Sequence, residues 1–204
     1  MMSEKAAPVS PENKLIALQL ALVFGGTLQV GEYRNTTETL TVDILSCCDR
    51  PVDGVTSYST IKLSDHPIPW GEREFSARLE LAGLCVNTVT TFPNLLASAA
   101  FHIMQSDALY HPGTVIPDLV RQSQVSSTLP HLYLTAPFPW GDALNRLNCG
   151  TKKVTWLLAM PISESEYAFL REHGDLAFER LLQKQDTDFS NPDRPTVVKV
   201  DASM

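Results

Sequence analysis

The chain is poor in every residue grouping that metal or redox chemistry needs. Its four cysteines, Cys47, Cys48, Cys85 and Cys149, include no C-x-x-C pair, which excludes a zinc ribbon and a thioredoxin-like redox motif. The five histidines, His66, His102, His111, His131 and His173, stand singly. Two of them, His66 and His111, fall in expected loops, and two loop histidines make no metal site unless they converge. Asp186, Asp188 and Asp193 lack the glycine and terminal glutamate of an EF-hand loop. The G-x-S-x-G elbow, H-E-x-x-H, the Walker A sequence, G-x-G-x-x-G and the kinase signatures are all missing. No metal and no cofactor is therefore expected.

Positive charge is scarce as well. Sixteen Lys and Arg face 23 Asp and Glu, a formal net charge of −7. Phosphate binding needs a concentrated basic face, so nucleic acid is an improbable partner, and an acidic surface suits a basic protein better. Long apolar runs are absent too. Residues 15–24 form a ten-residue run interrupted by Gln19, too short to cross a bilayer. The flanking Glu4 and Glu12 and the lack of an A-x-A site argue against a signal peptide. Ser10 followed by Pro11 reads as a helix cap with proline in the first turn. Residues 10–24 are thus expected to form a buried helix. No membrane association and a cytoplasmic protein with reduced, mostly buried thiols are expected. Residues 1–9 read as a loose tail and 10–204 as a single domain.

What the sequence does have is concentrated in residues 153–190. Val154 to Met160 has the composition of a buried strand, and Pro161 ends it. Ser163 and Glu166 have capping-box spacing, with Ile162 and Tyr167 placed for a hydrophobic staple. Glu164 and Glu166 suit the positive end of the helix dipole, and Arg171 and His173 the negative end. Gly174 is the expected stop, and Asp175 a cap for a second helix carrying Phe178, Leu181 and Leu182. Upstream, residues 36–47 alternate Leu40, Val42 and Ile44 against Thr39, Thr41 and Asp43, a half-buried strand. Pro51 and Asp53-Gly54 mark a hairpin, and 55–63 return antiparallel. Residues 77–84 read as a strand, 93–105 as a helix and 132–136 as a strand. Pro117 makes 115–120 an edge or bulged strand, 121–128 reads as loop, and Val197, Val198 and Val200 suit a last short strand. The sum is an α+β fold: a mostly antiparallel or mixed sheet packed with about four helices.

Ser64, Asp65 and His66 place three residue types of a hydrolytic triad side by side. Triads are assembled across distant segments, and a self-capped turn is the simpler account. Three aromatics, Trp70, Phe138 and Trp140, sit on proline-braced loops. Rigid aromatics lose little entropy on binding and suit interface anchors; folding back onto the core is the equal alternative.

The order of these blocks resembles one family. Residues 155–167, TWLLAMPISESEY, followed by a helix, Gly174 and a leucine-rich helix, resemble the signature of the suppressor-of-fused (SUFU) domain. Residues 58–65, 77–81, Phe92-Pro93, 111–116, 131–135 and Asp193-Arg194-Pro195 are similar to its other blocks in the same order. Members often carry glycine where this chain has Lys62. The resemblance implies a single-domain, non-enzymatic protein-binding fold. By length it points to the bacterial type, immunity proteins that neutralise partner toxins, because the animal protein has a second domain. It also implies that the turn at Ser64-Asp65-His66 lies near a peptide site, with Asp65 the first expected contact. A small hydrolase built on the Ser64 to His66 loop or on a pocket containing His111, and an oligomeric scaffold, are the alternatives.

Overall fold

The computed structural model describes residues 9–198 except 71, 72 and 75, and backbone alone for 69, 70, 73 and 74. Helix α1 is Pro11–Phe24; strands β1 Leu28–Arg34, β2 Thr41–Cys47 and β3 Val55–Ile61 follow. A 3-10 turn, Leu63–Asp65, leads to a short hairpin of β4 Pro69–Trp70 and β5 Arg73–Glu74. Then come β6 Ala77–Val86, α2 Phe92–Met104, β7 Val115–Ile116, α3 Leu119–Gln122 and β8 His131–Thr135. A 3-10 segment, Phe138–Leu144, precedes β9 Leu147–Asn148, β10 Lys153–Ile162, α4 Glu164–His173 and α5 Asp175–Lys184.

One eight-stranded sheet runs β1-β2-β3-β6-β10-β8-β7, with β9 paired to Lys153 and Val154 at the start of β10. Every pair is antiparallel except β6 with β10. Helices cover both faces, so the central strands are buried almost throughout rather than alternating. On one face Val42, Ile44, Leu81, Leu134 and Leu157 pack with Leu95, Leu96 and Ala99 of α2. On the other, Leu45, Ile61, Ala82 and Trp156 pack with Ile16, Leu20 and Phe24 of α1. Further along that second face Tyr133, Met160 and Ile162 pack with Leu170, Phe178 and Leu182 of α4 and α5. Gly83 of β6 lets α2 approach: a Cβ there would lie 2.6 Å from the Phe92 ring.

The mixed α+β expectation holds, and Pro117 does mark the edge: β7 stops at Ile116 and lies last in the sheet. A fifth helix, α3, occupies part of the segment expected as strand and loop. Strand β1 has no counterpart in the expectation. Its residues are exposed or half-exposed along its length, so it shows no alternation. Helix α1 departs from the expected burial: Leu15, Leu18 and Leu22 are 43%, 60% and 83% exposed, and only Asn13, Ile16, Leu20 and Phe24 are buried. Gly174, not Asp175, is the N-cap of α5. Val197 and Val198 are not in a strand, and Val200 lies outside the described residues. Among the described residues no helix is long and apolar enough to cross a membrane.

Candidate functional site

The turn at Leu63–Asp65 is held from beneath by a polar network reaching four other segments. Lys62 enters it with φ 83° and ψ −15°, a left-handed conformation that costs a residue with a Cβ about 1–2 kcal/mol. Its ammonium pairs with Asp43 at 2.9 Å and with Glu32 at 3.8 Å. This backbone suits a residue without a Cβ.

Glu80 of β6 is fully buried under the turn. Its Oε1 accepts the Ser64 backbone N–H at 3.0 Å, and its Oε2 the Thr60 hydroxyl at 2.5 Å. Burial pushes the Glu80 carboxyl above its ordinary value, although hydrogen bonds from Thr60 and Ser64 and the charge of Lys152 pull the other way. Ser64 is itself fully buried, and its hydroxyl accepts from Lys152 Nζ at 2.9 Å. The same ammonium reaches Asp65 Oδ1 at 2.6 Å, and Asn13 Nδ2 of α1 donates to Asp65 Oδ2 at 2.9 Å. Asp65 remains exposed, with 44% of its side chain open. The result is a fixed carboxylate displayed to solvent, with its rotamer set from two sides.

This is not a hydrolytic constellation. The Ser64 hydroxyl is occupied by an ammonium, and among the described residues no histidine ring hydrogen-bonds Ser64 or Asp65. His66 lines one small cleft beside Leu63 and Ile103, whereas His111 lines another beside Tyr110 and Leu157. His111 is exposed, and its Nδ1 lies 2.7 Å from the Pro112 carbonyl oxygen. His131 is buried and structural: its Nδ1 accepts from the Asp118 backbone N–H, which leaves Nε2–H to donate to Glu164. No group of three His, Cys, Asp or Glu among the described residues can hold a metal ion. All four cysteines are free. Burial raises the Cys85 thiol to about 12, so it is inert rather than nucleophilic.

The aromatics lie apart. Phe138 is 49% exposed and meets Phe189 edge-to-face at 5.1 Å. Trp140 folds back on Phe24 of α1, ring centres 5.2 Å apart, in the α1 core cluster. Trp70 has its backbone in β4, and its side chain is outside the described residues. Ser64, Asp65 and His66 thus share one turn, while Phe138 stands on the loop after β8 and Trp140 packs inward. Three supports of the turn were missed in the sequence: Glu80 under Ser64, and Lys152 and Asn13 on Asp65. Only Glu80, a lone acid in an apolar strand, carried a visible signal.

Fold and turn together define a mixed-sheet domain that displays a braced acidic loop and has no assembled catalytic group among its described residues. The chain belongs to the suppressor-of-fused family: the profile for Suppressor of fused protein (SUFU) matches residues 38–195. It is 33% identical over 190 residues to Immunity protein YqcF of Bacillus subtilis (strain 168), covering 93% of this chain and 99% of that protein. Among solved structures it is similar to a SUFU homologue from Neisseria gonorrhoeae FA 1090, with TM-score 0.73 and 17% identity, covering 93% of this chain and 98% of that one. It also matches a chain of the Sufu–Fu complex, with TM-score 0.68 and 16% identity over 92% of each chain. Against Drosophila Suppressor of Fused the TM-score is 0.60 at 14% identity, over 92% of this chain and 51% of that one.

Proposed function

We propose that this protein is a non-enzymatic immunity factor that binds and neutralises a partner toxin. The observation that carries this reading is the 33% identity to an immunity protein across nearly the whole of both chains. On this reading it acts in the cytoplasm, beside the toxin it blocks. The braced Asp65 carboxylate and the net charge of −7 suit a partner surface rich in Lys and Arg. Asp65, with His66 and Trp70 beside it on the turn and the following hairpin, forms the proposed contact; Phe138 adds a second.

Calorimetry with the product of the adjacent toxin-like gene tests it. Binding at micromolar concentration or tighter is expected, with weaker binding by Asp65→Lys and Trp70→Ala; melting should be unchanged in Trp70→Ala and somewhat lower in Asp65→Lys, which loses the Lys152 pair. Absence of any complex, or turnover of a substrate by the isolated protein, would overturn the reading. Full affinity in both variants would remove this surface and leave the reading standing.

A further inference from the structure

A cavity of about 400 Å³ opens between the end of β8, the middle of α5 and the segment after it, away from the Asp65 turn. Met160 and Leu182 make an apolar floor, and Phe138 and Phe189 form one wall, their rings at 75°. Glu179 of α5 and Asp186 also line it.

Glu179 is held in place from inside the fold. Its Oε1 accepts two hydroxyls, Tyr133 at 3.1 Å and Thr135 at 2.5 Å, both from β8. Two donors on one oxygen fix the rotamer. Burial, and after it the neighbouring Glu179 charge, push the Tyr133 phenol far above its ordinary value. The other oxygen, Oε2, receives no hydrogen bond among the described residues, and neither Glu179 nor Asp186 has a cationic partner there. Two other carboxylates are paired with cations, Asp43 with Lys62 and Glu166 with Arg194, and the buried Glu80 has a neutral donor on each oxygen.

The chemistry of the occupant follows. An anion is repelled, and a purely apolar group would strip water from Glu179 without replacing its hydrogen bonds. A guanidinium meets both demands. It forks to a carboxylate, its flat face stacks on a phenyl ring, and its stem lies on aliphatic side chains. An ammonium satisfies the charge and can sit over a ring, but it has neither the planar fork nor the flat face that stacks on one. We infer that this cavity receives an arginine side chain presented by the partner protein. The inference rests on the protein-binding reading above and adds to it a second, separate contact.

The test has two arms. In the first, N-acetyl-arginine-N-methylamide and its uncharged citrulline counterpart are titrated into the labelled protein and followed by NMR. Saturable shifts at Glu179, Leu182 and Phe189 are expected with arginine, none with citrulline, and loss of the shifts in Glu179→Gln. No shift, or equal shifts with citrulline, overturns the pocket. In the second, the toxin is bound to wild type, Glu179→Gln and Phe138→Ala. A loss of about tenfold or more is expected in Glu179→Gln, with a smaller loss in Phe138→Ala, whose exposed side chain contributes little to folding. Equal affinity of wild type and Glu179→Gln overturns the pocket alone. No binding by wild type overturns the reading beneath it.

Discussion

Glu80 of β6 and Glu166 of α4 are the same residue type, and both are fully buried. Their surroundings differ in one respect. Glu166 is met by Arg194 as a fork, Nη1 to Oε1 at 2.7 Å and Nη2 to Oε2 at 3.0 Å. It also accepts the Ser163 and Val197 backbone N–H groups. Glu80 has neutral donors, Thr60 and the Ser64 N–H, and its nearest cation, Lys152, bonds Ser64 and Asp65 instead. One glutamate is a clamp that ties the C-terminal segment to α4. The other is a post under an exposed turn, and burial drives it toward its protonated form. Burial alone therefore does not tell what a glutamate does; the charge of its partner does.

The largest effect should come from breaking the clamp. Arg194→Met keeps most of the volume but leaves the Glu166 carboxylate buried without a counter-charge. A loss of about 3–5 kcal/mol is expected, measured by urea denaturation. A loss below about 1 kcal/mol would mean that the ion pair contributes no more than a surface one.

Glu80 should behave in the opposite sense. Its folded value is raised above the ordinary 4.5. Below that value both states are protonated and its contribution is whole. As pH climbs from there toward the raised folded value, the unfolded chain ionises first and stability falls, by at most about 1.4 kcal/mol per pH unit for one proton. Glu80→Gln removes that proton, so the variant's stability relative to wild type should rise with pH across this window. A stability difference independent of pH would show that Glu80 is ionised in the folded state.

Lys152 lies between these cases. It is mostly buried, but its acidic partner Asp65 is 44% open. Lys152→Met should cost about 1 kcal/mol, part of it for the Ser64 hydroxyl losing its donor. The same variant should weaken toxin binding if a fixed Asp65 rotamer matters, since the carboxylate would then keep only Asn13. Thermal melts and calorimetry on one preparation separate the two effects.

How much of this contrast the sequence disclosed depends on chain distance. The capping box of Ser163 with Glu166 was legible because three residues separate donor from acceptor, and both of its bonds are present. The Arg194 fork was not, because its partner lies 28 positions away. The turn at Ser64 was legible as a turn; its post on β6 and the lysine before β10 come from segments that only the sheet brings together. The parallel β6–β10 pair, the one exception to an otherwise antiparallel sheet, leaves no local mark, since both strands are buried on both faces. Strand β1 was missed for the reverse reason, having no buried face to alternate. Trp140 and Phe138 had equal standing as proline-braced aromatics, and α1, remote in sequence, covers one and not the other.

The smallest effect concerns the entrance to the Glu80 turn. Lys62 adopts φ 83°, where glycine is unstrained and a β-branched residue is worst placed. Lys62→Gly relieves about 1–2 kcal/mol of backbone strain. It also gives up a part-buried ion pair with Asp43 and adds freedom to the unfolded chain, each costing about 1 kcal/mol. These terms nearly cancel, so the change should stay within about 1 kcal/mol in either direction. Lys62→Ala loses the pair and keeps the strain, and Lys62→Val adds β-branching to it. Melting temperatures should therefore fall in the order Gly, Ala, Val. An alanine variant as stable as the glycine one would mean that the turn does not need a left-handed entry, and that the polar network under Ser64 holds its shape without help from the backbone.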